Sequence, residues 1–160
     1  MPSIQLRSTA GALAMALLLA PLEAAAEVKA WDQAAVAKLA ADLAKACIAL
    51  YDEFYAEQGL NAKIGSGDAA DAFRFRYKLQ RLEEESQGFA GALAAGRGRD
   101  ETIPRVENIG VLSRDLRVLL ARMFVMAPLQ QRLDAARAIW VQLLPYYGIP
   151  APSDEAPKAP

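Results

Sequence analysis

Apolar residues recur at spacings of three and four in four separate stretches of this chain, and no stretch alternates with period two. That pattern predicts helices and no sheet. The first stretch runs from Gln33 to Gln58, with Val36, Leu39, Leu43, Ala46 or Cys47, Leu50 and Phe54 on one face. Asp32 is a good N-cap for it, and Trp31 is placed to pack on Val36 as a hydrophobic staple. Gly59 supplies a left-handed stop. Lys38, Asp42, Lys45 and Asp52 fall mostly on the opposite, solvated side.

The second stretch runs from Ala69 to Ala95, capped by Asp68, and its seam is Phe75, Leu79, Leu82, Ser86, Phe89 and Leu93. Gly88 and Gly91 interrupt it at about 1 kcal/mol each relative to alanine, so they mark either a close helix approach or an early end. A third helix starts near Thr102 as its cap, with Pro104 tolerated in the first turn. Its seam is Val106, Ile109, Ser113, Leu116, Leu120 and Met123. Continuing that phase past Pro128 would turn Gln130, Asp134 and Arg137 inward. The apolar set there is instead Leu129, Leu133, Ala136, Trp140 and Leu143, so a fourth helix begins at the proline and ends around Pro145 and Gly148.

Four helices joined by short connections most simply form an all-α, antiparallel up-down four-helix bundle over residues 27–148. Residues 1–26 have another pattern: Arg7, then an uncharged run from Ala10 to Ala20, Pro21, and small residues at Ala24 to Ala26. This is the order of a secretory signal peptide cleaved after Ala26, and the run of about 11 apolar residues is too short to span a bilayer. Export to the periplasm or beyond is therefore expected, with no stable membrane span after cleavage. The Ala- and Arg-rich, Lys-poor composition resembles products of GC-rich bacterial genomes, which favours the periplasm. Residues 149–160 contain four prolines among Ser, Asp, Glu and Lys and form a Pro/Ala-rich tail expected to be disordered.

Composition then removes several kinds of chemistry. The chain contains no histidine, the usual general base near neutral pH and the commonest metal ligand. Ser-His-Asp and Cys-His nucleophiles, histidine-ligated haem and Glu-x-x-His metal pairs are thereby excluded. The layout resembles that of exported four-helix cytochromes, but without histidine or a Cys-x-x-Cys-His motif their function does not carry over. The single cysteine allows no internal disulfide, and Cys47 falls on the buried stripe as a small apolar residue. A net charge of −1 is not that of a nucleic-acid binder.

The densest chemistry lies on the second helix, Phe73-Arg74-Phe75-Arg76-Tyr77-Lys78 followed by Arg81 and Glu83-Glu84-Glu85. Arg74, Lys78 and Arg81 share one side, with Arg76 and Tyr77 on adjacent sides, and this patch could hold an anionic ligand or acidic partner. The alternative is a solvated face in which Arg81 pairs with Glu84 or Glu85. Arg114, Asp115, Arg117 and Arg122 on the third helix are expected to pair with neighbouring helices or water. Ser86 and Ser113 are expected to bond carbonyls of their own helices, or each other as a polar layer. The aromatic residues fall into two clusters, Tyr51, Phe54 and Tyr55 at one end and Trp140, Tyr146 and Tyr147 at the other. Asp52, Glu53 and Glu57 offer too few oxygens for calcium.

The expectation is an exported, non-catalytic bundle that binds a protein or envelope partner, with no cofactor, no metal and no nucleic acid. A periplasmic small-molecule carrier with a pocket between the helices is one alternative. An enzyme using Arg, Tyr and carboxylates is another.

Overall fold

A computed structural model describes residues 28–60, 68–122 and 127–151. The leader, Met123 and most of the tail lie outside that set. Four helices follow in order: α1 Gln33–Leu60, α2 Asp68–Ala94, α3 Arg99–Leu120 and α4 Ala127–Leu143, the last running into a 3-10 turn at Leu144–Tyr147. Among the described residues there is no strand, and the chain is an all-α four-helix bundle.

Local chemistry explains most of the helix ends. The Asp32 side chain accepts the Ala35 N–H at 3.0 Å, the expected cap of α1. Gly59 does not stop α1, which extends through it to Leu60. The end of α2 is a Schellman closure around Gly96 at φ 81°, with the Gly96 and Arg97 amides donating to the Leu93 and Ala92 carbonyls. The third helix begins three residues before the expected Thr102. Gly98 caps it in an extended conformation, and its N–H donates to Glu101 at 3.0 Å, so Thr102 is buried inside the first turns. Pro104 is consequently the sixth residue of α3 and leaves the Asp100 carbonyl without its helical donor. The α4 extension closes on Gly148 at φ 68°.

The core follows the apolar stripes. Every seam residue expected in α2 is buried, Ser86 included, as are Val36, Leu43, Cys47, Leu50 and Phe54 of α1. On α1, Ala40 is fully buried while Leu39 and Ala46 are only half-buried. On α4, Leu129, Ala136, Trp140 and Leu143 are buried and Leu133 packs on the core's edge.

Helix neighbours run antiparallel in the spatial order α3, α2, α1, α4. Phe54 meets Phe75 at 4.8 Å between centroids, Lys78 meets Asp115, and Glu53 meets Arg132 at 3.6 Å. Helices α3 and α4 have no comparable backbone contact and meet through side chains, Trp140 lying over Gly110 and Tyr147 reaching Thr102. This changes the α3 seam: Leu119 is buried, whereas Leu120 and Ser113 are half-exposed. With α2 as its main neighbour, the buried face of α3 rotates toward α2 by about one residue.

Candidate functional site

The basic-aromatic stretch of α2 lies on the side facing away from the core. Its apolar residues, Phe75, Leu79 and Leu82, are buried, and this directs Phe73 and Tyr77 outward, where they are 61% and 60% exposed. The five cations and aromatics singled out in the sequence do not converge on one point. Arg74 bonds Asp71 at 3.4 Å, Arg81 bonds Glu84 at 2.8 Å and approaches Glu85 at 4.0 Å, and Lys78 crosses to Asp115 of α3. The Arg76 guanidinium lies 5.2 Å from the centre of the Phe73 ring. These pairs hold a face with two exposed aromatic rings among locally balanced charges.

Two bridges join that face to α3. Besides Lys78–Asp115, Arg105 reaches Glu85 at 3.2 Å, and it can do so because Gly88 has no side chain. A Cβ at Gly88 would push the Arg105 guanidinium aside, so this glycine gives that side chain its seat, and α2 runs on past it to Ala94 instead of ending early. The arginines of α3 differ from those of α2. Arg114, Arg117 and Arg122 are exposed, and among the described residues none is paired with a carboxylate. As expected from the sequence, these charges pair with a neighbouring helix or face water: Asp115 is taken by Lys78 of α2, and the three arginines lie in solvent.

Between α1 and α2, Cys47 is fully buried, and burial pushes its thiol up to about 11 while Ser86 beside it pulls the other way. Ser86 donates to the Glu83 carbonyl at 2.8 Å, so no layer forms with Ser113. Nearer the surface, burial and the charges of Asp52 and Glu84 raise the Glu83 carboxyl above its ordinary range. The adjacent Tyr55 holds the Tyr51 phenol up to about 12. Among the described residues, no three metal-ligating side chains converge.

At the other end of the bundle a shallow open concavity of about 610 Å³ is lined by Trp31, Gly98, Arg99, Asp100 and Glu101. Arg99 donates to the Lys29 carbonyl at 3.2 Å and lies over the Trp31 ring, which meets Tyr147 edge-on at 5.5 Å. Arg99 Nε is buried without a partner. Asp100 and Glu101 already complement the positive end of α3, so this hollow does not favour an anion. The two aromatic clusters thus lie at opposite ends, with Phe89 joining the lower one at 6.1 Å from Tyr147.

No described helix is long and apolar enough to cross a membrane. Comparison with protein-family models, with curated proteins and with solved structures yields no match.

Proposed function

We propose that this chain is exported and acts, without catalysis, by binding a protein partner on the outward face of α2, with the periplasm or the cell envelope as its place of work. What carries the reading is the pair Phe73 and Tyr77, large rings left in solvent on a rigid helix whose apolar needs are already met by its core face. Exposed aromatics beside arginines are the composition of protein interfaces. Arg74, Arg76, Tyr77, Lys78 and Arg81 are the contact set, and the intramolecular pairs of the four cations hold those side chains in place beside the exposed Tyr77 ring.

The test is photo-crosslinking in the host organism. A photo-reactive residue replaces Tyr77 in one variant and Ala94, an exposed residue at the far end of α2, in another. The reading expects a protein adduct from position 77 only, on a chain whose N-terminus is Glu27. Equal labelling from both positions, or none from 77, overturns it.

A further inference from the structure

We propose that this chain pairs with a second copy of itself, the two α3 helices lying antiparallel across a two-fold axis that passes between Gly110 and Val111. The face concerned is not that of Phe73 and Tyr77. Three sides of α3 are occupied within one chain. Val106, Ile109 and Leu116 point into the core, Arg105 and Asp115 pair with α2, and Gly110 lies under Trp140 of α4. The remaining side carries Ile103, Glu107, Val111, Arg114 and Val118, whose spacings of three and four keep them on one helix face. All five are exposed, the three apolar residues at 38%, 46% and 43%.

The folding of a single chain does not account for this stripe. β-branched side chains are weaker helix formers, and at solvated positions they gain no packing in return. Glu107 and Arg114 have no oppositely charged partner among the described residues. The helix dipole favours acids in the first turn and bases in the last, which suits Asp100 and Arg117. Glu107 and Arg114 both lie more than a turn inside Arg99–Leu120, where that effect has faded.

A second copy supplies what the stripe lacks. Residues 107 and 114 are equally far from the point between Gly110 and Val111, and so are 103 and 118. An antiparallel pair centred there sets Glu107 opposite Arg114 of the second copy, and Ile103 opposite its Val118. Symmetry makes each of these contacts twice. Gly110, without a side chain, lets the helices approach beside the axis. Charge also runs in one direction along this face, with Asp100 and Glu107 in the first half of α3, Arg114 in the second and Arg122 just past its end. Antiparallel pairing matches opposite signs, whereas parallel pairing would stack like on like. A uniformly anionic surface would be repelled by Asp100 and Glu107.

One helix face per copy is a small interface, so a weak dimer is expected. The experiment is sedimentation equilibrium of the full chain, as its host produces it, at concentrations up to about 1 mM. It compares the unaltered chain with Glu107→Arg, Arg114→Glu and the exchange E107R/R114E, thermal melts confirming that all fold. The unaltered chain is expected to be a dimer in equilibrium with monomer. Each single change sets like charges opposite one another in both halves, and the dissociation constant should rise at least about tenfold. The exchange restores both pairs with signs reversed and should return it to within about threefold of the original. Val111→Asp, exposed in the single chain but beside the axis in the pair, should abolish the dimer while helix content stays the same. A chain monomeric throughout, a dimer indifferent to the single changes or to Val111→Asp, or an exchange as weak as its components overturns the inference.

Discussion

Thr102 on α3 and Tyr147 in the turn after α4 share a hydrogen bond of 2.8 Å between their hydroxyl oxygens, joining two helices whose backbones barely meet. Thr102 Oγ1 also lies 2.9 Å from both the Gly98 and Arg99 carbonyls, which can only accept. The single threonine proton therefore goes to a carbonyl, and Tyr147 is the donor to Thr102. Removing either hydroxyl is expected to lower stability, Tyr147→Phe by about 1 kcal/mol and Thr102→Val by about 1–3 kcal/mol because it strands a half-buried phenol. Urea titrations of the single and double variants check this. Purely additive losses would show that the bond contributes nothing of its own.

Leu116 is buried in the α3 seam, and Leu116→Ala is expected to cost about 2–5 kcal/mol. Leu119→Ala is expected to cost more than Leu120→Ala, since Leu119 is buried and Leu120 half-exposed. Urea midpoints rank the three, and the reverse order at 119 and 120 would mean that α3 packs against α4 as closely as against α2.

That pair of leucines shows where sequence reading stops. The α2 seam was legible because, Phe73 and Tyr77 aside, its large apolar residues occur at one phase. In α3, leucine occupies both 119 and 120, and the choice between them depends on which helix lies alongside. Thr102 misled for a related reason: a threonine before an apolar stripe has the form of a cap, but Glu101 reaching back to Gly98 starts the helix earlier. The candidate site divides the same way. Asp71 with Arg74 and Arg81 with Glu84 are local spacings readable from sequence, while the pairing of Lys78 with Asp115, and the unmatched arginines it leaves, depends on helix register.

Gly148 adopts φ 68°, and a Cβ there would come within 2.9 Å of Val28 Cγ2. Gly96 has a similar φ of 81° but open space around it. Both alanine variants incur the left-handed penalty of about 1–2 kcal/mol, and Gly148→Ala is expected to lose more because Val28 must also move. Restoring Gly148→Ala toward the Gly96→Ala value by adding Val28→Ala checks the contact directly.

Cys47 is expected to resist alkylation in the folded protein. Its thiol is buried, and with its titration pushed up to about 11 it holds little thiolate at pH 8. Iodoacetamide labelling at pH 8 followed across a urea titration should track global unfolding. Labelling well before the unfolding transition would mean that α1 and α2 part locally at Ser86.

Glu83 should make stability depend on pH in a predictable direction. Burial first, then the charges of Asp52 and Glu84, raise its carboxyl above the ordinary 4.5, while the bond from Gln87 at 3.0 Å works the other way. The folded chain thus holds this proton more tightly than the unfolded one. The stabilising contribution is complete below pH 4.5 and is lost as pH rises through the higher folded value. At neutral pH the charged carboxylate disfavours the fold, so Glu83→Gln, which can still bond Gln87, is expected to be the more stable form at pH 7. Solvent screening keeps the gain to about 0.5 kcal/mol. Paired thermal melts should show a higher midpoint for the variant at pH 7 and a shrinking difference as pH falls below 4.5. An advantage of the same size at both pH values would assign the effect to side-chain packing and remove the charge argument.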